Sequence, residues 1–103
     1  MAKDLNVVLL LDYYGELLPE KQRRLVEYYY CDDLSLAEIS FDEDITRQGV
    51  RDAIKRAVDK LQGFENALGF VKKATAIKDA LTHFEESGSN DDLEKLKNEI
   101  NNM

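Results

Sequence analysis

Residues 34–56, LSLAEISFDEDITRQGVRDAIKR, constrain the fold more than any other stretch of the chain. Ser35 and Glu38 form a capping box, in which each side chain bonds the backbone N–H of the other residue and a helix begins. The acidic run 42–44 contains no apolar residue and predicts a turn. Thr46 then caps a second helix. A short capped helix, a tight turn and a longer helix are typical of a helix-turn-helix.

Apolar residues continue beyond this motif with a 4-3 spacing that starts at Val50 and Ile54. A seam of this kind must be covered by other helices of the chain, by a second copy or by a partner protein. A twofold homodimer is the commonest closed assembly. The glycines at 63 and 69 each weaken a helix by about 1 kcal/mol relative to alanine, and we expect a break or kink near Gly63. The residues predicted to form the dimer or partner seam are Ala57, Leu61, Phe64, Leu68 and Val71.

Two further helices are predicted before the motif. Asp4 is the candidate N-cap of a helix over 5–14 that is apolar around much of its circumference, and Gly15 is its expected C-cap. Pro19 is expected in the first turn of the next helix, where its missing N–H costs nothing. The consecutive tyrosines 28–30 point in three directions on a helix, so we expect core and rim packing and no flat stacking platform for bases.

No window of the chain alternates apolar and polar residues as a strand does, so the expected fold class is all-α. We predict a helix-turn-helix domain over 1–60, with the motif at about 35–56. A long, kinked helical extension over 61–86 would carry the dimerisation seam. Residues 87–103 are predicted to form a polar linker and a short C-terminal helix.

The charge is distributed unevenly. The whole chain carries −7, which argues against indiscriminate binding to nucleic acid or anionic lipid, but residues 46–60 carry +3 and the remainder −10. A basic helix on an acidic body would direct an anionic partner to one face. The alternative is a solvated helix face with intrahelical ion pairs, because Arg47, Arg51 and Lys55 form a plain i, i+4 row.

Little in the sequence points to catalysis or to metal binding. Cys31 and His83 are the only residues of their types, so neither a disulfide within the chain nor a thiolate metal cluster is expected. There is no glycine-rich phosphate loop, and the acidic run 42–44 lacks the spacing of a calcium loop. We therefore predict no catalytic residue, no metal and no cofactor. The apolar run 7–11 is far shorter than a membrane span, and with no signal peptide evident a cytoplasmic protein is expected.

The chain resembles two known groups of helix-turn-helix proteins. Residues 17–56 are similar to region 4 of bacterial sigma factors, through Leu18-Pro19, LSLAEIS and ITRQGVRDAIKR. Over nearly its whole length the chain resembles the YlxM family, whose pattern includes the opening at 7–40, TRQGVRDAIKRA and the long glycine-interrupted helix that follows. Because genes of that family lie beside those for the signal recognition particle GTPase and its receptor, the resemblance implies a regulatory part in that pathway.

The turn departs from the sigma-like motif. Glu43 stands where an aliphatic residue is common, and we expect Phe41 to be the apolar substitute. Asp44 stands where glycine or asparagine is usual. Acids before the second helix favour the helix itself but disfavour phosphates at its N-terminus.

Three functions are compatible with these features. The first is a regulator that binds double-stranded DNA, since arginine suits guanine and glutamine suits adenine in the major groove. The second is a protein or ribonucleoprotein interaction module that binds components of the signal recognition particle. The third is a structural homodimer. The residues predicted to contact nucleic acid are Thr46, Arg47, Gln48, Arg51, Asp52, Lys55 and Arg56.

Overall fold

The structure is a computed structural model that describes residues 4–102. Over this range the chain is helical with no β-strand, which confirms the all-α prediction. The helices are α1 (Leu5–Tyr14), α2 (Glu20–Tyr30), α3 (Leu36–Glu43), α4 (Arg47–Leu68), α5 (Phe70–Ser87) and α6 (Asn90–Asn101), with a 3-10 turn at Gly15–Leu17. Within residues 4–102, no helix is both long and apolar enough to cross a membrane.

The chain divides into two compact units. The N-terminal unit is Met1–Ala67 and the C-terminal unit is Leu68–Met103. The first contains the predicted helix-turn-helix as α3 and α4, and the second contains α5 and α6. The division into 1–60, 61–86 and 87–103 that the sequence predicts stays a prediction.

The core of the N-terminal unit joins the motif to the helices before it. A cluster of buried residues combines Leu25 of α2, Ile39 of α3, and Val50 and Ile54 of α4. Three of these four side chains are completely buried, and Ile54 nearly so. Apolar packing of this kind is the main force that holds helices of a small domain together. The angle between the two motif helices is therefore set by their shared contact with α2.

Most of the predicted helix ends are present. The Asp4 carboxylate accepts a hydrogen bond from the N–H of Asn6 (2.9 Å), and the Gly15 N–H closes the end of α1. Both halves of the capping box between Ser35 and Glu38 are formed, each at 3.1 Å. Pro19 is the N-cap residue of α2, one position before the first turn in which it was expected.

The turn of the motif is shorter than predicted. α3 continues through Asp42 and Glu43, and the chain reverses at Asp44, which has a left-handed backbone (φ 54°). Glu43 comes four residues after the buried Ile39, so both side chains lie on the inward face of α3. The prediction that Phe41 fills an inward position is wrong: Phe41 is 87% exposed, because it lies two residues after Ile39 on the opposite face.

The predicted break near Gly63 is also wrong. α4 runs without interruption through Gly63, and the helix ends at Gly69, which adopts φ 66° and precedes α5. A left-handed residue after a helix is the usual role of glycine, because other side chains are strained there. Gly63 is exposed, and a Cβ added to it would meet no atom within 4 Å. Its lower helix propensity is therefore tolerated inside a helix that the core already holds in place.

The predicted seam is distributed over both units. Ala57 and Leu61 are completely buried inside the N-terminal unit, so their side chains present no surface to a second copy. Phe64 packs on Tyr14 of α1, with ring centroids 6.0 Å apart. Leu68 ends α4, and Val71 belongs to α5. The first part of the seam is thus covered by the chain's own helices, which is one of the three ways in which such a seam can be satisfied.

The C-terminal unit is a helical hairpin. α5 and α6 pack against each other through a tight connection in which Gly88 has φ 63°. Ser89 caps α6 by accepting the N–H of Asp92 (3.1 Å), and the Ser87 hydroxyl donates to the Asp92 carboxylate. The bonds from Ser87 and Ser89 hold the pKa of Asp92 below its usual value. No described residue of α5 or α6 is buried.

Candidate nucleic-acid interface

The second motif helix presents all seven predicted contact residues to solvent. α4 begins where the Thr46 hydroxyl oxygen accepts the N–H of Gly49 (2.9 Å), as its predicted capping role requires. Val50, Ile54 and Ala57 turn inward and are buried, so the helix places the residues between them outward. The exposed residues are Thr46, Arg47, Gln48, Arg51, Asp52, Lys55 and Arg56.

The basic side chains on this face differ in how they are held. Among residues 4–102, neither Arg47 nor Arg51 has a carboxylate oxygen within 4 Å of its guanidinium nitrogens. The Lys55 Nζ lies 3.9 Å from Asp59, in an exposed pair of a kind that contributes little. Of these three cations, one therefore has an intrahelical ion pair of the kind that the alternative interpretation predicts. Two arginines one turn apart are available to an external acceptor.

Gln48 is engaged within the helix. Its Nε2 donates a hydrogen bond to the Asp52 Oδ1 at 2.9 Å, across one turn of the exposed face. An amide held in this way presents its carbonyl oxygen to solvent and keeps one N–H on the carboxylate. Gln48 must therefore release Asp52 before its amide can form two hydrogen bonds with an adenine.

Glu43 forms an ion pair that sequence reasoning missed. The Arg24 guanidinium donates to both carboxylate oxygens of Glu43, at 2.6 and 3.2 Å, and joins α2 to the end of α3. The Glu43 side chain is only 16% exposed. The hydrogen bond from Arg24, together with its charge, lowers the pKa of the Glu43 carboxyl. One of the three acids that precede α4 is therefore neutralised by α2, and Asp42 and Asp44 are the exposed ones.

A signal for this pair was present in the sequence. Sigma-like motifs place an aliphatic residue at the position of Glu43, so a carboxylate there faces inward and needs a basic partner. Arg24 stands one residue before the buried Leu25, on the helix against which α3 packs. Sequence alone could identify the need for a partner, but the choice among the cations of α2 depends on the helix crossing.

Because of the Arg24–Glu43 pair, we expect the stability of the fold to decrease at acidic pH. The pKa of Glu43 in the folded protein lies below its usual value of 4.5. The pair therefore contributes its full stabilisation of the fold above pH 4.5, and this contribution is lost as the pH falls through the folded pKa. We expect Glu43→Gln to lower the melting temperature at pH 7 and to have less effect at pH 3, measured by circular dichroism. Asp42→Asn, at the adjacent exposed carboxylate, is the control. Equal effects of Glu43→Gln at both pH values would refute the assignment.

The turn itself depends on Asp44. Its N–H donates to the Ser40 carbonyl, as does the N–H of Ile45 (3.2 Å), and the Ser40 hydroxyl donates to the Ile45 carbonyl. These bonds satisfy the carbonyl at the end of α3 and bring Thr46 to the start of α4. The left-handed backbone at Asp44 is one that side chains other than those of glycine, asparagine and aspartate rarely adopt.

Glycine at this position is expected to stabilise the protein. Asp44→Gly should raise the free energy of unfolding by about 0.5–1 kcal/mol, since relief of the left-handed strain exceeds the entropy that glycine loses on folding. Urea denaturation measures the change. Asp44→Asn removes the charge but retains a side chain that tolerates this backbone, and it separates charge from strain. A stabilisation as large with asparagine as with glycine would contradict the strain explanation.

Two tyrosines lie beside the basic face. A cleft of about 440 Å³ is lined by Tyr29 and Tyr30 of α2 together with Arg51 and Lys55 of α4, among others. The tyrosine rings form an edge-to-face pair with centroids 5.0 Å apart. Both are half-buried and pack against the core cluster, which confirms the predicted core and rim packing. Burial raises the pKa of Tyr30.

Comparison with known proteins identifies relatives of this fold. The family described as "Putative helix-turn-helix protein, YlxM / p13 like" (UPF0122) matches residues 1–101. A UPF0122 protein of Caldanaerobacter subterraneus is 56% identical over 69 residues, which are 67% of this chain and 59% of that protein. One from Thermoanaerobacter sp. is 51% identical over 77 residues, 75% of this chain and 66% of that protein. The matched part of this chain thus spans about three fifths to two thirds of the length of these two relatives.

A more distant relative is matched over more of its length. A UPF0122 protein of Listeria monocytogenes is 40% identical over 99 residues, which cover 87% of this chain and 90% of that protein. The similarity therefore extends over both units, from the helix-turn-helix to the C-terminal hairpin.

Proposed function

The chain belongs to the UPF0122 family of helix-turn-helix proteins, and on this premise we propose that it is a regulatory protein whose α4 binds double-stranded DNA. The observation that supports this most is the exposed pair Arg47 and Arg51, one turn apart at the start of α4 and free of ion pairs with other described residues. The N-terminal residues of such a helix contact base edges when it lies in the major groove.

Roles for six of the seven predicted residues follow from their positions, and the seventh, Asp52, is the partner that Gln48 releases. Arg47 and Arg51 are proposed to contact guanine, and Gln48 to contact adenine after it exchanges its bond to Asp52. Lys55 and Arg56, farther along the helix, are proposed to contact phosphates. Thr46 is committed to the helix cap through its oxygen, and its hydroxyl hydrogen stays available to an acceptor.

Charge opposes indiscriminate binding. The chain carries −7 overall, and Asp42 and Asp44 are exposed just before α4, near the point at which phosphates would approach. The Arg24–Glu43 pair removes a third such charge from this region. The proposed regulator therefore relies on a limited set of base contacts, and its affinity for random duplex should be weak.

The test begins with selection from a pool of random duplexes with the full chain at low salt. The enriched duplex is then titrated by fluorescence anisotropy between about 50 and 200 mM NaCl. A protein that makes several phosphate contacts should lose affinity steeply over this range. Lys97→Ala, on α6, is a matched control that removes one exposed cation outside the motif and should leave the affinity unchanged. Failure to enrich any duplex at 50 mM would refute DNA binding.

A second candidate function is supported by a different surface. Phe41 is 87% exposed on α3, beside the exposed carboxylates of Asp42 and Asp44. Aromatic residues are enriched in protein interfaces, and the rims of such interfaces are polar. We propose as the alternative that the motif is an interaction module of the signal recognition particle pathway. Capture of the particle's GTPase or RNA by the full chain, lost in Phe41→Ser and retained in Arg51→Ala, would favour this function over DNA binding.

We also propose that the protein is a homodimer and that it acts in the cytoplasm. The third function expected from the sequence, a structural dimer, applies if neither duplex DNA nor a partner binds. Of the predicted seam, Leu68 and Val71 retain surface that a second copy could contact, and Ala57 and Leu61 do not.

A further inference from the structure

A cleft beside α4 has an excess of positive charge. It lies between the first turn of α2 and one side of α4 and has a volume of about 400 Å³, and its lining includes Lys21 and Arg56 but no acidic residue. We call it the Lys21 cleft. The cleft that contains Tyr29 and Tyr30, the tyrosine cleft, differs because two acids accompany its two cations. Of these two clefts, the Lys21 cleft is therefore the one that favours an anion.

The two cations of the Lys21 cleft are not neutralised by nearby acids. Both side chains are exposed, and no described carboxylate oxygen lies within 4 Å of the Lys21 Nζ or the Arg56 guanidinium nitrogens. The pKa of Glu43 is lowered chiefly by the hydrogen bond from Arg24, and the charge of Lys21 contributes least. Glu43 is thus already paired with Arg24. An anion in the cleft would offset two like charges that the fold leaves uncompensated.

The Lys21 cleft also contains a polar group that has no partner in the fold. Among the described residues, the Gln22 Oε1 is the one buried side-chain oxygen or nitrogen without a hydrogen-bond partner, and Gln22 lines this cleft. An orphaned acceptor is unfavourable, and rotation of the amide would replace it by the NH2 group, which is a donor. The side chains of the cleft therefore include donors suited to an anion and no competing carboxylate.

The Lys21 cleft and the tyrosine cleft lie on opposite flanks of α4. Successive helix residues point about 100° apart, and Lys55 lines the tyrosine cleft whereas Arg56 lines the Lys21 cleft. α2 reaches both flanks, with Tyr30 near its C-terminal end and Lys21 near its N-terminal end. A helix about 10–12 Å across fills a major groove about 12 Å wide, so each flank faces a different phosphodiester strand.

We propose that the Lys21 cleft binds a backbone phosphate of the duplex whose bases α4 contacts, between the Lys21 ammonium and the Arg56 guanidinium. The inference rests on the proposed DNA-binding function and adds to it a residue of α2. It also assigns Lys55 and Arg56 to opposite strands. A phosphate held by α2 and α4 together fixes the orientation in which α4 lies in the groove.

The first test compares two cations of α2 on the selected duplex. Lys21→Ala should weaken binding about three- to tenfold at low salt, on selected and random duplexes alike, and lower the slope of log K against log salt by about one. Lys21→Arg should retain the slope. Arg23→Ala is the matched control, since Arg23 is paired with Glu27 at 2.9 Å and lines a different cleft, and it should leave the slope unchanged. Equal slopes for the wild type and Lys21→Ala would overturn this inference and leave DNA binding by α4 intact.

The second test identifies the phosphate. Backbone phosphates of the selected duplex are replaced one at a time by neutral methylphosphonates, and each duplex is titrated with the wild type and with Lys21→Ala. At one position the two changes together should cost less than the sum of their separate effects, because they remove the same contact. Lys55→Ala should be coupled in this way to a phosphate of the other strand. Additive effects of Lys21→Ala at every position would contradict the inference.

The third test distinguishes a free phosphorylated molecule from duplex DNA as the source of the phosphate. Inorganic phosphate is titrated into the isotopically labelled full chain, and the amide resonances of Gly49 and Ala53, which line the cleft, are followed by NMR. If the wild type enriches no duplex, this inference and the DNA-binding function fail together. Shifts of these resonances that are lost in Lys21→Ala would then assign the cleft to a free phosphorylated ligand.

Discussion

Replacing Ile39 by alanine is expected to lower the free energy of unfolding of the N-terminal unit by about 2–5 kcal/mol. Ile39 is completely buried, and it joins the core cluster of Leu25, Val50 and Ile54. Alanine removes its apolar contacts and leaves a cavity at the point where α3, α2 and α4 meet. Since small domains have only about 5–15 kcal/mol of stability in total, this change approaches complete unfolding at moderate temperature.

Urea denaturation followed by circular dichroism measures the effect. Phe41→Ala is the matched control: it removes a large apolar side chain from the same helix, but at a position 87% exposed, and it should change the stability by about 0.5 kcal/mol or less. Ile39→Val, which deletes one methylene, should fall between the two at about 0.5–1.5 kcal/mol. Similar losses for Ile39→Ala and Phe41→Ala would contradict the assignment of the inward face of α3.

The contrast between these two residues shows which parts of the fold could be predicted. The capping box at Ser35 and Glu38 and the inward positions of α4 follow from local spacing, and both were predicted correctly. Phe41 was assigned inward because the motif requires an apolar residue near that point. Helix geometry alone contradicts this, since α3 continues to Glu43 and two residues after Ile39 is the outward face.

The position of the helix break could not be taken from propensity. Gly63 and Gly69 have the same intrinsic effect on a helix, and the difference between them comes from the core. Leu61 is completely buried and Phe64 packs on Tyr14 of α1, so tertiary contacts hold α4 as a helix on both sides of Gly63. Gly69 follows Leu68, which ends α4 and is 40% exposed, so the core does not hold the chain in a helix there and a left-handed turn can form.

In the candidate site, too, some features could be predicted from the sequence and others could not. The exposure of the α4 residues follows from periodicity and was predicted. The partner of Glu43 and the position of the two tyrosines beside Arg51 depend on how α2 crosses α3 and α4, which sequence spacing does not contain. The row of apolar residues along α5 was visible in the sequence as part of a longer seam, but the break at Gly69 was needed to separate it from the part that is buried in the N-terminal unit.

Replacing Arg51 by alanine is expected to weaken binding of the selected duplex by about 1–3 kcal/mol, or roughly 5- to 150-fold. Arg51 is exposed, one turn into the helix from Arg47, and lines the tyrosine cleft. Because no acidic partner among the described residues holds its guanidinium, binding breaks no ion pair of the free protein. Alanine at this solvated helix position should leave the stability nearly unchanged.

The salt dependence separates two roles for Arg51. If it contacts a base, Arg51→Ala lowers affinity for the selected duplex, relaxes the preference at one base pair and leaves the slope of log K against log salt unchanged. If it contacts a phosphate, affinity falls on all duplexes alike and the slope decreases by about one. Lys55→Ala is the matched comparison, since we assign it to phosphate and it should show the second behaviour. Unaltered affinity for the selected duplex in Arg51→Ala would remove α4 as the DNA-reading helix and leave the surface around Phe41 as the remaining candidate on the motif.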